Sequence, residues 1–156
     1  MADEKLERAQ RVFKALCENL DSHKWKYEKD DSELKVTCIA QGNDLPVEIM
    51  ITADSDRQLI LFLSRLPFIV PEDKRVDIAL AVSAINNKLV DGSFDYNYRN
   101  GVLLFRMTSS FIESEIGSEM FTYMIMIACI TIDEYNDKLL KICGGDLSIE
   151  DFLSEF

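Results

Sequence analysis

Apolar residues recur three and four apart from Leu6 through Ala9, Val12, Phe13, Leu16 and Cys17 to Leu20, with Glu4, Glu7, Arg8, Arg11 and Lys14 between them. That spacing gathers the apolar set on one side of a helix over residues 3–20. Asp21-Ser22, residues that favour turns, ends it. The period then drops to two. Trp25 and Tyr27 alternate with lysines, and Leu34, Val36, Cys38 and Ala40 alternate with Lys35, Thr37, Ile39 and Gln41. After a turn at Gly42-Asn43-Asp44, Val47, Ile49, Ile51 and Ala53 alternate with Glu48, Met50, Thr52 and Asp54. Asp54-Ser55-Asp56 turns the chain again into Leu59 to Leu63, which is apolar at every position. Four short strands with tight turns predict an antiparallel meander.

Beyond Pro67 the pattern becomes helical. Val70-Pro71-Glu72-Asp73 suits a helix start, because proline fits the first helical position and acids favour the positive end of the helix dipole. Val76, Ala79, Leu80, Val82, Ser83, Asn86, Asn87 and Leu89 form the predicted stripe, which Asp91-Gly92 ends. Phe94-Tyr96-Tyr98 and Val102 to Met107 read as two strands around Asn100-Gly101, a strong hairpin signal. A long helix follows from about Ser118 to Cys143, with Gly144-Gly145 as its cap. The last helix starts at Ser148, with Asp151 three residues on as in a capping box, and Leu147, Phe152, Leu153 and Phe156 make its stripe. The order α-β-β-β-β-α-β-β-α-α, without repeat or low-complexity stretch, predicts one α+β domain over residues 1–156. It is an antiparallel sheet flanked by helices.

Composition narrows the partners. Acids outnumber bases 28 to 17, giving a formal charge of −11. Phosphate contacts need a concentrated basic surface, so nucleic acid is excluded as the expected ligand. Lys24, Lys26 and Lys29 do cluster, but Glu28, Asp30, Asp31 and Glu33 interrupt or follow them. The longest apolar run, Met124 to Ile132, falls far short of the roughly 20 residues a membrane span needs. Residues 1–15 carry charges throughout and lack the apolar core of a secretory signal, so the expected compartment is the cytoplasm. Cys17, Cys38, Cys129 and Cys143 stand in no zinc or redox spacing and read as reduced thiols.

Chemistry finds little to work with. His23 is the only histidine, set in a predicted turn between Ser22 and Lys24. Sequence supplies it neither nucleophile nor orienting acid. The six glycines form no phosphate-cradling loop, and the metal-ligand spacings of zinc and calcium sites are missing. Glu72-Asp73, Glu113-Glu115 and Asp133-Glu134 read as solvated charge. The expectation is a protein that is not an enzyme and carries no cofactor.

Residues Ala84-Ile85-Asn86-Asn87-Lys88-Leu89-Val90-Asp91-Gly92-Ser93-Phe94-Asp95-Tyr96, running on to Asn100-Gly101-Val102-Leu103-Leu104-Phe105-Arg106, resemble the YbjN family of bacterial proteins, named for sensory transduction regulators. The pattern shared is a helix ending in asparagines, a Gly-x-Phe strand, a glycine turn and a strand closing on an aromatic-Arg pair. Asp133-Glu134-Tyr135 with Leu139 is similar to the family's long third helix. The resemblance implies a fold like that of type III secretion chaperones, usually dimers that bind an extended segment of a client. It implies a binding role and offers no catalytic residue.

Two surfaces are candidates for that role. With Leu34, Val36, Val47, Ile49 and Ile51 turned to the helices, Ile39, Met50, Leu104 and one of the sets begun by Leu59 or Ile60 turn away, Ile60 being the candidate. That face is either open to a partner or covered by the terminal helix. The methionine-rich start of the long helix supplies Met120, Phe121, Tyr123, Met124 and Met126, with Met120, Tyr123 and Met124 as the candidates, since methionine adapts to varied partners. Apolar residues encircle the helix between Met120 and Ile132, asking for burial on more than one side. A homodimer formed through this helix or the sheet is expected, with an unidentified protein client. The alternative is a regulatory domain that binds a small molecule between sheet and helix.

Overall fold

Strand parity builds the molecule, a computed structural model describing residues 1–156. Helix α1 (Ala2–Ser22) leads into strands β1 (Tyr27–Asp30), β2 (Lys35–Gln41), β3 (Pro46–Asp54) and β4 (Leu59–Ile69). A 3-10 turn (Glu72–Lys74) opens α2 (Arg75–Lys88), and then β5 (Ser93–Asn97), β6 (Val102–Ser110), α3 (Ser118–Gly144) and α4 (Ile149–Leu153) follow. The strands form one antiparallel sheet in the order β1-β2-β3-β4-β6-β5. Val36 and Cys38 on β2, Ile49 and Ile51 on β3, Phe62 on β4, and Leu103 and Phe105 on β6 all point to the same side and are buried. Helices α1, α2 and α3 pack over that side. The other face is left without a layer, because α4 packs on α2 rather than on the sheet.

The long helix and the terminal cap follow the sequence pattern. Gly145 takes φ +82 just after α3, the left-handed conformation that glycine adopts most readily, and its N–H meets the Ile142 carbonyl. Ser148 Oγ accepts the Asp151 N–H at 3.1 Å, capping α4. At the end of α1, Trp25 stays out of β1: its N–H donates to the Leu20 carbonyl at 2.9 Å while Lys24 turns through φ 57.

Three expectations are overturned. The buried face of α2 is Ile78, Ala81, Val82 and Ile85, leaving Val76 and Leu80 exposed. Apolar residues surround this short helix, so periodicity alone selects no face. β4 does not stop at Leu63 but runs through Pro67 to Ile69, with Arg65 opposite Leu104 and Ile69 opposite Val102. The two extra residues form a bulge, the setting in which a strand tolerates a proline without an N–H. Ile60 faces the helices at 0% exposure; Leu59, Leu61 and Leu63 take the other side. Five consecutive apolar residues carry no parity, and the pairing of Ile51 with Phe62 sets it.

Asn136 in α3 is fully buried, and neither its amide nitrogen nor its amide oxygen has a hydrogen-bond partner. Burying an unpaired amide costs stability that an apolar group of similar shape avoids. Asn136→Leu is therefore expected to raise stability by about 1–2 kcal/mol, read as a higher urea midpoint at unchanged m-value. A lower midpoint would refute this account of the amide.

Candidate partner-binding surfaces

The open sheet face is built by alternation. Residues between the buried ones on β2, β3, β4 and β6 include Ile39, Met50, Leu61, Leu63 and Leu104. Register places Met50 opposite Leu63, Ile39 opposite Glu48, and Leu104 opposite Arg65. Ile39, Met50, Leu63 and Leu104 thus form a shallow arc across four strands, each within side-chain reach of the next. Ile39 is 66% exposed. Arg106 and Asp95 pair with each other at 3.0 Å on this side, whereas Glu48, Arg65 and Lys35 make no ion pair within the chain.

The second surface lies on the far side of the helical layer. Glu119, Tyr123, Met126, Ile130, Glu134 and Asp137 follow one another at steps of four and three along α3, and all are exposed. This spacing makes a single line about 27 Å long. Its middle is apolar, with Met126 at 49% and Ile130 at 56% exposure, and its ends are acidic. The Tyr123 hydroxyl donates to Asp91 Oδ2, a bond that raises the phenol's pKa and fixes the ring at one edge of the stripe. Met120 is exposed beside it.

Of the residues singled out in the sequence, Ile39, Met50 and Leu104 stand on the open sheet face, and Met120 and Tyr123 border the α3 stripe. Ile60 and Met124 belong to neither. Met124 is 2% exposed and packs in the core, because α3 turns it, with Phe121 and Ala128, onto the sheet. Met126, part of the methionine-rich segment, lies on the stripe, and Ile130 is the member the sequence did not single out. A full-circle apolar helix hides it until the packed side is known.

His23 closes a helix. Its Nδ1 lies 2.9 Å from the Asn19 carbonyl oxygen and 3.1 Å from Ser22 Oγ at the end of α1. The Asn19 side chain meanwhile ties α1 to the start of α3, with Nδ2 2.9 Å from Ser118 O, Ser118 Oγ and Thr122 Oγ1. Burial pushes the thiols of Cys38 and Cys143 up to about 11, so neither presents much thiolate at neutral pH. No three His, Cys, Asp or Glu side chains gather as a metal site, and no helix is long and apolar enough to cross a membrane. Open grooves of about 630 Å³ along Asp95–Leu104 and about 570 Å³ around Tyr27, Ile39 and Glu48 lie at the sheet's two margins.

A six-stranded antiparallel sheet with helices on one side and bare apolar ground on the other defines a two-layer α+β protein with surfaces suited to contact. The chain belongs to the YbjN family, whose model matches residues 13–141 and carries the description "Putative bacterial sensory transduction regulator". The crystal structure of YbjN from E. coli shares this fold, with a TM-score of 0.55 and 18% identity over 80% of this chain and 91% of that one. A HopA1–SchA chaperone–effector complex aligns at a TM-score of 0.45 and 15% identity, over 86% and 92% of the two chains. No curated protein matches.

Proposed function

We propose that this chain is a non-enzymatic protein-binding module, chaperone-like or regulatory in role, that works as a homodimer in the bacterial cytoplasm. The acid-bracketed apolar stripe on α3 carries the reading. Exposed methionine, isoleucine and tyrosine in one line suit an amphipathic segment of another protein laid along the helix. Glu119 at one end and Glu134 with Asp137 at the other favour a segment with lysine or arginine on both sides of its apolar centre. The same acids oppose self-pairing. An antiparallel α3–α3 contact that sets Tyr123 against Ile130 also sets Glu119 against Glu134, and a parallel one sets each acid against itself.

The test uses two fluorescent helical peptides with one apolar stripe, one flanked by lysines and one by glutamates. Anisotropy with the full chain is expected to show the lysine peptide binding at least about tenfold more tightly. Ile130→Glu is expected to remove that binding, and Glu119→Lys with Glu134→Lys to transfer the preference to the glutamate peptide. Equal binding of both peptides, binding indifferent to Ile130, or no binding of either would overturn the α3 reading. Attachment to neutral phosphatidylcholine vesicles in place of peptide would do the same.

A further inference from the structure

The open sheet face is complementary to itself, and we infer that a second copy of this chain docks on it face to face about one two-fold axis. This deepens the homodimer reading above and rests on it. Take an axis in the interface plane, parallel to the strands, running between β3 and β4. It exchanges β3 with β4 of the other copy, and β2 with β6. Sheet register then dictates every contact. Met50 and Leu63 are register partners, so each lands on the other's counterpart. Ile39 is opposite Glu48, and Arg65 is opposite Leu104. Counting two residues on from Met50 and Leu63 brings Glu48 level with Arg65, so Ile39 lands on Leu104 and Glu48 lands on Arg65.

Apolar residues therefore meet apolar ones along the whole arc, and the two central charges meet their opposites twice. Glu48 and Arg65 are both exposed and lack an ion-pair partner within the chain, leaving them free for this exchange. Neighbouring positions are compatible. Thr37 falls on Arg106, Thr52 on Leu61 and Lys35 on Thr108, by the same registers. No like charges are opposed, whereas symmetric α3 pairing opposes glutamates. A molecule of charge −11 repels its own copy over most approaches, which makes this balanced face the favourable one.

Size agrees. Strands about 4.8 Å apart and seven to eleven residues long give the four central strands roughly 500–700 Å² of face. A standard interface takes roughly 600–1,000 Å² from each partner. Two sheets packed with near-aligned strands about 10 Å apart make the core of a β-sandwich, and here the helices would form the two outer layers.

Sedimentation of the full chain tests the axis through four proteins: the natural sequence, Glu48→Arg, Arg65→Glu, and the double exchange. The natural chain is expected to be a dimer. Each single exchange sets like charges together at two places and weakens the dimer at least about tenfold. The double exchange restores it. A general charge effect would instead move the two single exchanges in opposite directions, and the urea midpoint of each single exchange, expected to stay near that of the natural chain, separates a lost interface from a folding defect. Ile130→Glu is expected to leave the dimer intact. A dimer indifferent to the single exchanges, one not rescued by the double exchange, or one broken by Ile130→Glu overturns this interface and leaves homodimerisation standing. A natural chain that stays monomeric at about 100 μM, near the weak limit of specific association, overturns both.

Discussion

Gly101→Ala is expected to lower the unfolding free energy by about 3–5 kcal/mol, which would pull the urea midpoint down by more than about 1 M. Gly101 sits at φ +74 in the loop between β5 and β6, where a side chain already costs about 1–2 kcal/mol. The added Cβ would also lie 2.4 Å from the Val70 carbonyl oxygen and 3.1 Å from its nitrogen. That neighbour has no room to yield. Val70 is fully buried, and its N–H donates to the Gly101 carbonyl at 2.9 Å, pinning the end of β4 to the hairpin loop. Gly145 supplies the control, since it shares a positive φ of +82 and has nothing within 4 Å of its would-be Cβ. Gly145→Ala is expected to cost only about 1 kcal/mol. Equal losses at the two sites would refute the steric argument.

Asn86→Ala is expected to cost about 2–4 kcal/mol, because it removes two hydrogen bonds at once and leaves backbone groups unpaired. β5 is an edge strand, and Phe94 directs its N–H and C=O away from β6. The Asn86 amide meets both: Phe94 N–H donates to Oδ1 at 2.8 Å, and Nδ2 donates to the Phe94 carbonyl at 2.9 Å. One side chain of α2 thereby takes the place of a missing strand and blocks the edge against further pairing. Phe94 beneath it is core, with its ring edge-on to Phe105 at 5.3 Å and to Tyr135 at 6.2 Å. Hydrogen exchange localises the effect. The Phe94 amide is expected to lose protection in Asn86→Ala, and Asn86→Asp is expected to fail as a rescue, because its carboxylate faces a carbonyl oxygen. Unchanged protection of Phe94 in Asn86→Ala would count against the clamp.

Asn86 belongs to the stretch through which the sequence resembles the YbjN family, yet its place in the helical stripe of α2 conceals its work. An amide within helical spacing is legible as a polar helix residue. Only the return of β5 beneath α2 turns it into a strand surrogate. The α3 stripe was half legible in the same way. Tyr123 and Met126 belong to it and Met120 borders it, Phe121 and Met124 are buried instead, and Ile130 was the missing member. Composition showed that the helix is apolar all round; which side met the sheet was a tertiary matter.

Where polar residues mark one side of a strand, as Lys35, Thr37 and Gln41 do in β2, Glu48, Thr52 and Asp54 in β3, and Arg106 and Thr108 in β6, local chemistry alone settled which side is buried, because a period of two leaves one alternative and the polar set excludes it. The inner face of α1, the limits of α3 and the Ser148 cap were determined by the same local rules. Tertiary structure decided the rest: Leu61 and Leu63 rather than Ile60 on the open face, Ile78 rather than Val76 in the core, and α4 on α2 instead of on the sheet. In those segments every side is apolar, so several placements bury similar area, and only the long-range pairing of strands and helices breaks the tie.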